Sequence, residues 1–333
     1  MPARVLMDVD TGIDDAIAIM IALQSPEIEI VGITTVSGNV TAAAAGLNTL
    51  GILRALGKES KIPVLQGSSR PLSKKIVRAK DVHGEKGLGN MMLESNLSLL
   101  QEGKVSHFIS RILSNYRKDE VSLIATGPLT NIARVILEDP GNIEPLSRIC
   151  IMGGAYGLAS KIYGNITRFA EFNFYCDPKA AQIVLGYPLD KGVRLNVVGL
   201  DVTDKYLIID GKFVSRLSDP QCMKRKKTEV GYSSKVPIIA KSLLEYPLAK
   251  FGKFNLPDIF AVAILERPDL FKFKRGKIDI VQNGLLRGHS TFVEENSSYS
   301  FEKGRNIFVA SKIIDRKSFH KYVSSSLFDG RGL

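Results

Sequence analysis

Three features of the sequence predict an α/β architecture: a mainly parallel central sheet with helices on both faces. Short runs rich in β-branched residues alternate with segments whose apolar residues recur at helical spacing, the order that gives parallel strands joined by crossover helices. Polar residues gather just beyond the strand-like runs, where open parallel sheets form their ligand crevice. No Pro- or Ser-rich linker interrupts the 333 residues, so a single domain spanning residues 1–333 is expected.

Taken in order, Arg4 to Val9 reads as a buried strand. From Asp14 onward, Ala16, Ile17, Ile19, Met20, Ala22 and Leu23 follow helical spacing until Pro26 stops the pattern. Gly12 permits the sharp turn between strand and helix. Ile28 to Val36 is a second strand, and beyond Ser37-Gly38-Asn39 an Ala-rich helix runs from Thr41 to Leu56, ending at Gly57. Val121 to Ala125 is a strand followed by Thr126-Gly127-Pro128 and a helix; Ile149 to Met152 leads into Gly153-Gly154; Val193 to Val198 is a further strand. Arg70 to Gly103 and Leu158 to Arg168 lack periodicity and are expected to be loops over a site. Lys277 to Val281, Thr291 to Val293 and Asn306 to Val309 read as a terminal extension of the sheet.

Composition narrows the class. With 44% hydrophobic and 24% charged residues, the chain can bury a large core. The first apolar run is broken by Asp8, which does not suit a signal peptide, and no stretch approaches the ~18 apolar residues of a membrane helix. Cys150, Cys176 and Cys222 are odd in number and widely spaced, fitting neither a disulfide framework nor a zinc knuckle, and a reducing cytoplasm suits them. The net charge of +11 includes one compact cluster, Lys224 to Lys227, without interleaved aromatic residues. Neither nucleic acid nor a membrane is therefore expected as partner.

The chemistry points to Asp8-Val9-Asp10-Thr11-Gly12-Ile13-Asp14-Asp15. Four carboxylates within eight residues at a strand end repel one another by several kcal/mol in a partly buried site unless a cation neutralises them. Oxygen-only donors select Ca²⁺ or Mg²⁺, and carboxylates from two loops, with carbonyls and water, suit Ca²⁺. The helix that begins near Asp14 also directs its positive end at the cluster. The plain alternative makes Asp14 a helix cap and Asp8 a solvated strand end. A second is a haloacid-dehalogenase-type phosphatase with Asp8 as nucleophile and Asp10 as acid/base, although Gly12 and the later acidic pair depart from that pattern. A third is a nucleoside- or sugar-binding protein without turnover.

The segment Asp8 to Ala16 resembles the signature of the inosine–uridine-type nucleoside hydrolases. Further matches follow in family order: Thr34 to Asn39, Thr126 to Asn131, Met152-Gly153-Gly154, Ala170 to Asn173, Asp177-Pro178, Gly199 to Thr203 and Pro257-Asp258. The resemblance implies a Rossmann-like nucleoside hydrolase fold and Ca²⁺-dependent cleavage of the N-glycosidic bond of ribonucleosides. Ca²⁺ would be held by Asp10, Asp15, the Thr126 carbonyl and Asp258, and would carry a water whose proton passes to Asp10. Asp14, Asn39 and Asp258 would grip the ribose 2′- and 3′-hydroxyls, Asn165, Glu171 and Asn173 its 5′ end, and Met152 would also line the substrate. Glu171 and Asn173, two apart, would face one side of an extended segment. A homodimer or homotetramer would be usual for such a protein. The leaving base is the open question, because Pro257 stands where many members carry His and the chain has no Trp. His83 and Tyr232 are the candidates to assist its departure, with a broad or purine-leaning range of bases.

Overall fold

The computed structural model describes residues 1–158, 164–187, 193–217, 233–295 and 307–328. β1 (Ala3–Val9) passes through Asp10, Thr11 and Gly12 into α1 (Ile13–Gln24), and β2 (Ile28–Thr35) with α2 (Ala42–Ala55) repeats that order. β3 (Val64–Gln66), the single turn α3 (Lys80–His83), β4 (Leu100–Gln101) and α4 (Val105–Leu113) follow. The chain continues through β5 (Val121–Ala125), α5 (Thr130–Glu138), β6 (Leu146–Met152), α6 (Phe172–Cys176), α7 (Pro178–Gly186), β7 (Arg194–Val198) and α8 (Leu200–Tyr206). Beyond these lie β8 (Ile209–Asp210), α9 (Gly211–Arg216), α10 (Lys235–Phe251), β9 (Lys253–Phe254) and α11 (Asp258–Glu266). β10 (Phe271–Ile280), β11 (Ser290–Glu294), β12 (Ile307–Ile313) and α12 (Arg316–Phe328) end the described chain.

Among the described residues, ten strands form one sheet in the order β11-β10-β12-β7-β6-β5-β1-β2-β3-β4, and β8 pairs with β9 separately. From β12 to β4 every neighbouring pair is parallel; β10 runs antiparallel to both β12 and β11. β1 lies at the centre. The chain builds outward from it through β2, β3 and β4, then returns to its other side at β5 and builds away through β6 and β7. This reversal is a topological switch point, where loops at the carboxyl ends diverge and leave a crevice. The loops after β1, β2, β5 and β6 therefore converge there, although more than 100 residues separate Asp10 from Thr126 in sequence.

Both faces of the sheet are covered, so strands such as Val121–Ala125 are buried throughout. Every residue of α1 except Leu23 is buried, because the helix lies against the sheet and packs on α2, α10, α11 and α12. The opposite face carries α4, α5 and α7, whose apolar residues Phe108, Ile132 and Val184 join a second core. No described helix is long and apolar enough to cross a membrane.

The sequence places the early elements within a residue or two and misjudges others for identifiable reasons. Thr41 lies just outside α2 and caps it, its hydroxyl accepting from the Ala44 amide at 3.2 Å. β6 begins at Leu146, earlier than the run from Ile149 suggests, because Ser147 and Arg148 are only partly buried and interrupt the apolar pattern. The terminal strands are more than an extension. β12 inserts beside β7 and continues the parallel run before β10 reverses it, and β10 starts at Phe271, where it pairs with Ile313. The stretch from Arg70 to Gly103 is largely loop, as expected, but holds α3 and reaches β4 at its end.

One buried carboxylate anchors that loop. Asp177 caps α7 through the Ala180 amide at 3.3 Å and also accepts from the amides of Leu72 at 2.6 Å and Ser73 at 3.1 Å and from the Thr130 hydroxyl at 2.7 Å. Removing a fully buried carboxylate strands these donors at once. Asp177→Ala is therefore expected to cost about 3 kcal/mol in urea unfolding, with a loss below about 1 kcal/mol contradicting the anchoring role.

Candidate active site

Two helix N-termini meet at the switch point. α1 presents Asp14 and Asp15 in its first turn and α11 presents Asp258 as its first residue, so each helix directs its positive end at its own carboxylates. Asp15, at the third position of α1, accepts from the Gly12 amide at 2.9 Å, from Asn39 Nδ2 at 3.3 Å and from the Thr126 hydroxyl at 2.7 Å. Asp10, just beyond β1, accepts from the Asn39 amide at 2.6 Å. The fit around Asp10 is close: a Cβ added at Gly38 would lie 2.0 Å from its Oδ2, which is why glycine stands there.

Oxygen atoms of Asp14, Asp15 and Asp258 all lie within 4.8 Å of one another, and all three residues are buried. Burial pushes the carboxyls of Asp14 and Asp15 up to about 6, the mutual repulsion of the two contributing at Asp15. Asp10 and Asp258 are raised well above the ordinary carboxylate range, first by burial and then by their acidic neighbours. Oδ1 of Asp10 and Oδ1 of Asp14 are buried with no hydrogen-bond donor. Unsatisfied carboxylate oxygens in an all-oxygen cluster are what a hard divalent cation would engage. The three buried carboxylates form a site able to coordinate such a cation.

A cavity of about 420 Å³ opens over this cluster, within the range of small-molecule sites. Asp14, Asn39, Met152, Asn173 and Asp258 are on its wall, and so are His83, Asn165, Glu171 and Thr126. Asp10 and Asp15 lie fully buried behind it. Tyr232 lies outside the described residues, as do Lys224 to Lys227.

Several of these side chains hold the site together as well as lining it. Asn173 Nδ2 donates to the carbonyl of Thr126 at 2.6 Å and to that of Met152 at 3.2 Å, tying α6 to the ends of β5 and β6. Glu171 and Asn173 are not on an extended segment: Glu171 caps the short helix α6, and Asn173 lies within it. Glu171 accepts from the amides of Asn173, Gly154 and Phe174, and burial pushes its carboxyl up to about 7. Asn165 is exposed at the rim and accepts from the Phe172 amide at 2.8 Å. His83 Nδ1 accepts from the Ile13 amide at 3.1 Å, so the imidazole caps the first turn of α1; burial lowers its pKa to about 4, leaving a neutral ring with its proton on Nε2.

Asp8 has a different place. Its Oδ1 accepts from Thr34 at 2.6 Å and Asn131 at 2.7 Å, it is 1% exposed, and it is not on the cavity wall. A carboxylate so enclosed is not positioned to attack a phosphate. The sequence reading missed Arg78, Asp204, Phe254 and Asn255, all of which line the cavity. Asn255 stands three residues before Asp258 and Asp204 three beyond Asp201, but neither neighbourhood has a periodicity or charge pattern that marks a site.

A buried carboxylate cluster able to hold a divalent cation, at the carboxyl ends of a parallel sheet and opening into a small-molecule cavity, has the arrangement of an α/β enzyme site. The chain belongs to the inosine-uridine preferring nucleoside hydrolase family, whose model matches residues 5–321. A pyrimidine-specific ribonucleoside hydrolase of Citrobacter koseri is 33% identical over 323 residues, covering 96% of each chain. Uridine nucleosidase 1 of Arabidopsis thaliana is 33% identical over 290 residues, 86% of this chain and 81% of that protein. Among solved structures, a purine-preferring ribonucleoside hydrolase from Gardnerella vaginalis superposes with a TM-score of 0.80 at 25% identity, over 98% of this chain and 99% of the other.

The raised carboxyls set a pH dependence for the metal-free protein. Groups whose pKa is raised on folding contribute stability that is present below about 4 and lost as pH rises through their folded values, about 6 for Asp14 and Asp15. Without a cation, the melting temperature should therefore fall between pH 5 and pH 8. Ca²⁺ added after chelation should raise it by several degrees more at pH 8 than at pH 5, where protons occupy the same oxygens. Differential scanning fluorimetry reads this, and an equal gain at both pH values would count against the site.

Proposed function

We propose that this protein hydrolyses the N-glycosidic bond of ribonucleosides, giving free base and ribose, with Ca²⁺ as its metal. The observation that carries the reading is the buried Asp14, Asp15 and Asp258 triad at the floor of a cavity that also presents Asn39 and Asn173. Oxygen donors alone, supplied from two helix N-termini, favour Ca²⁺ over softer metals, and we assign Asp10, Asp15, Asp258 and the Thr126 carbonyl to it, with Asp14 close enough to share. A bound Ca²⁺ would lower the pKa of a water and hold it near C1′.

The remaining work falls to side chains. Asp10 Oδ1, buried without a donor, is the acceptor for the proton of the attacking water. Its other oxygen is fixed by the Asn39 amide, so the free one has a single orientation. Asp14, Asn39 and Asp258 bind the 2′- and 3′-hydroxyls, while Asn165, Glu171 and Asn173 bind the 5′ end beside Met152. Glu171 already accepts three amides and is held in place by them, so its part is to accept a hydrogen bond from a hydroxyl without moving. His83 offers the leaving base Nε2–H as a hydrogen-bond donor.

The two relatives at 33% identity are named for uridine and pyrimidine nucleosides, and we rank uridine and cytidine ahead of purines, where the sequence suggested a broad or purine-leaning range. Buried, free Cys150 and Cys176 agree with a reducing cytoplasm. Family resemblance supports a homodimer or homotetramer.

The test is release of reducing sugar from uridine, cytidine, inosine, adenosine and guanosine. Ribose should appear, cease on chelation, return with Ca²⁺, and fall by roughly 10³-fold or more in Asp10→Ala. Product that survives chelation, or an Asp10→Ala enzyme of wild-type rate, would reject the mechanism. Because the site is built around ribose hydroxyls, 2′-deoxyuridine should be cleaved roughly 10⁴-fold less efficiently than uridine in kcat/KM; comparable values would remove Asp14, Asn39 and Asp258 from that role.

A further inference from the structure

A nucleoside hydrolase must deliver a proton, or its equivalent in hydrogen bonds, to a poor leaving base, and the cavity wall allows the donor to be sought by elimination. Asp14 and Asp258 belong to the cation triad. Glu171 accepts three backbone amides, and protonating it would weaken them. His83 is neutral near pH 7 and accepts a backbone amide on Nδ1, so it has no proton to give up from an imidazolium. Asp81, paired with Lys250 at 3.7 Å, and Lys253 are exposed at the mouth, outside the enclosed part of the wall, and Arg78 does not deprotonate.

Among the described residues, one ionisable group on the wall remains. Asp204, on α8, is half-buried, and its carboxyl accepts from Asn255 Nδ2 at 2.8 Å. No ion pair joins it among the described residues, so a neutral amide alone faces a carboxyl that most proteins would match with a cation. Asn255 sits in the segment between β9 and α11 that delivers Asp258, which ties the Asp204–Asn255 pair to the carboxylate cluster. Phe254, the neighbouring residue, forms an apolar wall against His83, the ring centroids 6.4 Å apart. Phe254 and Asp204 thus line one partly apolar cavity, and burial of a carboxyl in such a wall favours its protonated form.

Resting on the hydrolase reading, we propose that Asp204, oriented by Asn255, is the acid that protonates the departing base. As the C1′–N bond breaks, its electron pair passes to the base, and the proton on the Asp204 carboxyl moves to the base. Water adds to C1′ and gives its proton to Asp10. Each turnover leaves Asp204 ionised and Asp10 protonated, and exchange with solvent restores both. Burial pushes the Asp204 carboxyl up, partly offset by the Asn255 hydrogen bond, in the direction this role requires.

The test compares Asp204→Asn with wild type on uridine and inosine and on 4-nitrophenyl β-D-ribofuranoside, whose leaving group needs no proton. The expected loss in kcat on the nucleosides is roughly 10²-fold or more, at least tenfold greater than on the nitrophenyl riboside, with Asp204→Glu recovering part of it. Asn255→Ala, which keeps the acid but frees its orientation, should show a smaller loss with the same split, and it stands in should Asp204→Asn fail to fold. Equal losses on both substrate types, or no loss on nucleosides, overturn the assignment while leaving the hydrolase reading intact. A wild-type protein that releases ribose from no nucleoside overturns both.

Discussion

The structure depends on the repulsion among buried carboxylates at the end of β1. Asp10, Asp14, Asp15 and Asp258 are held in a region from which water is largely excluded, and unit charges at such distances cost several kcal/mol when nothing offsets them. The fold meets part of that cost with oriented dipoles. Helices α1 and α11 both start at the cluster, the Gly12 and Asn39 amides point into it, and the Thr126 hydroxyl binds Asp15. These donors leave Oδ1 of Asp10 and Oδ1 of Asp14 unsatisfied, open to a cation or to the proton of a water beside it.

The same economy governs the cavity wall. Asn173 joins three strand and helix ends before it meets any substrate, Glu171 caps α6, and His83 caps α1. Groups already fixed by the scaffold lose little freedom when a sugar arrives, so their hydrogen bonds are available to the reaction with little reordering. The titratable groups fall on two parts of the cavity. Asp10 and Asp15 lie buried behind the cavity and Asp14 and Asp258 line it, while Phe254, Asn255 and Asp204 stand on a wall delivered by α8 and the segment before α11.

Much of this was legible in the sequence because it is local. The strand-turn-helix from Arg4 to Gln24 carries its own periodicity and its own carboxylates, and the strand-end positions of Asn39, Thr126 and Met152 follow from the rule for parallel sheets. What was not legible depends on contacts between distant segments. Nothing around Asp204 announces that Asn255 will bond to it, fifty-one residues on. Glu171 and Asn173 read as an extended pair because a five-residue helix is too short to show a period. β12 could not be placed beside β7 from its own residues, since register across a sheet is set by its neighbours.

The central claim, that the buried carboxylates are built for one divalent cation, is tested most directly by isothermal titration calorimetry of Ca²⁺ into chelator-stripped protein near pH 7, in two buffers of different ionisation enthalpy. One Ca²⁺ per chain is expected, with protons released on binding because the raised carboxyls must ionise, and with affinity lost in Asp15→Asn. Binding that releases no protons and persists in Asp15→Asn would show that the cluster is not the metal site.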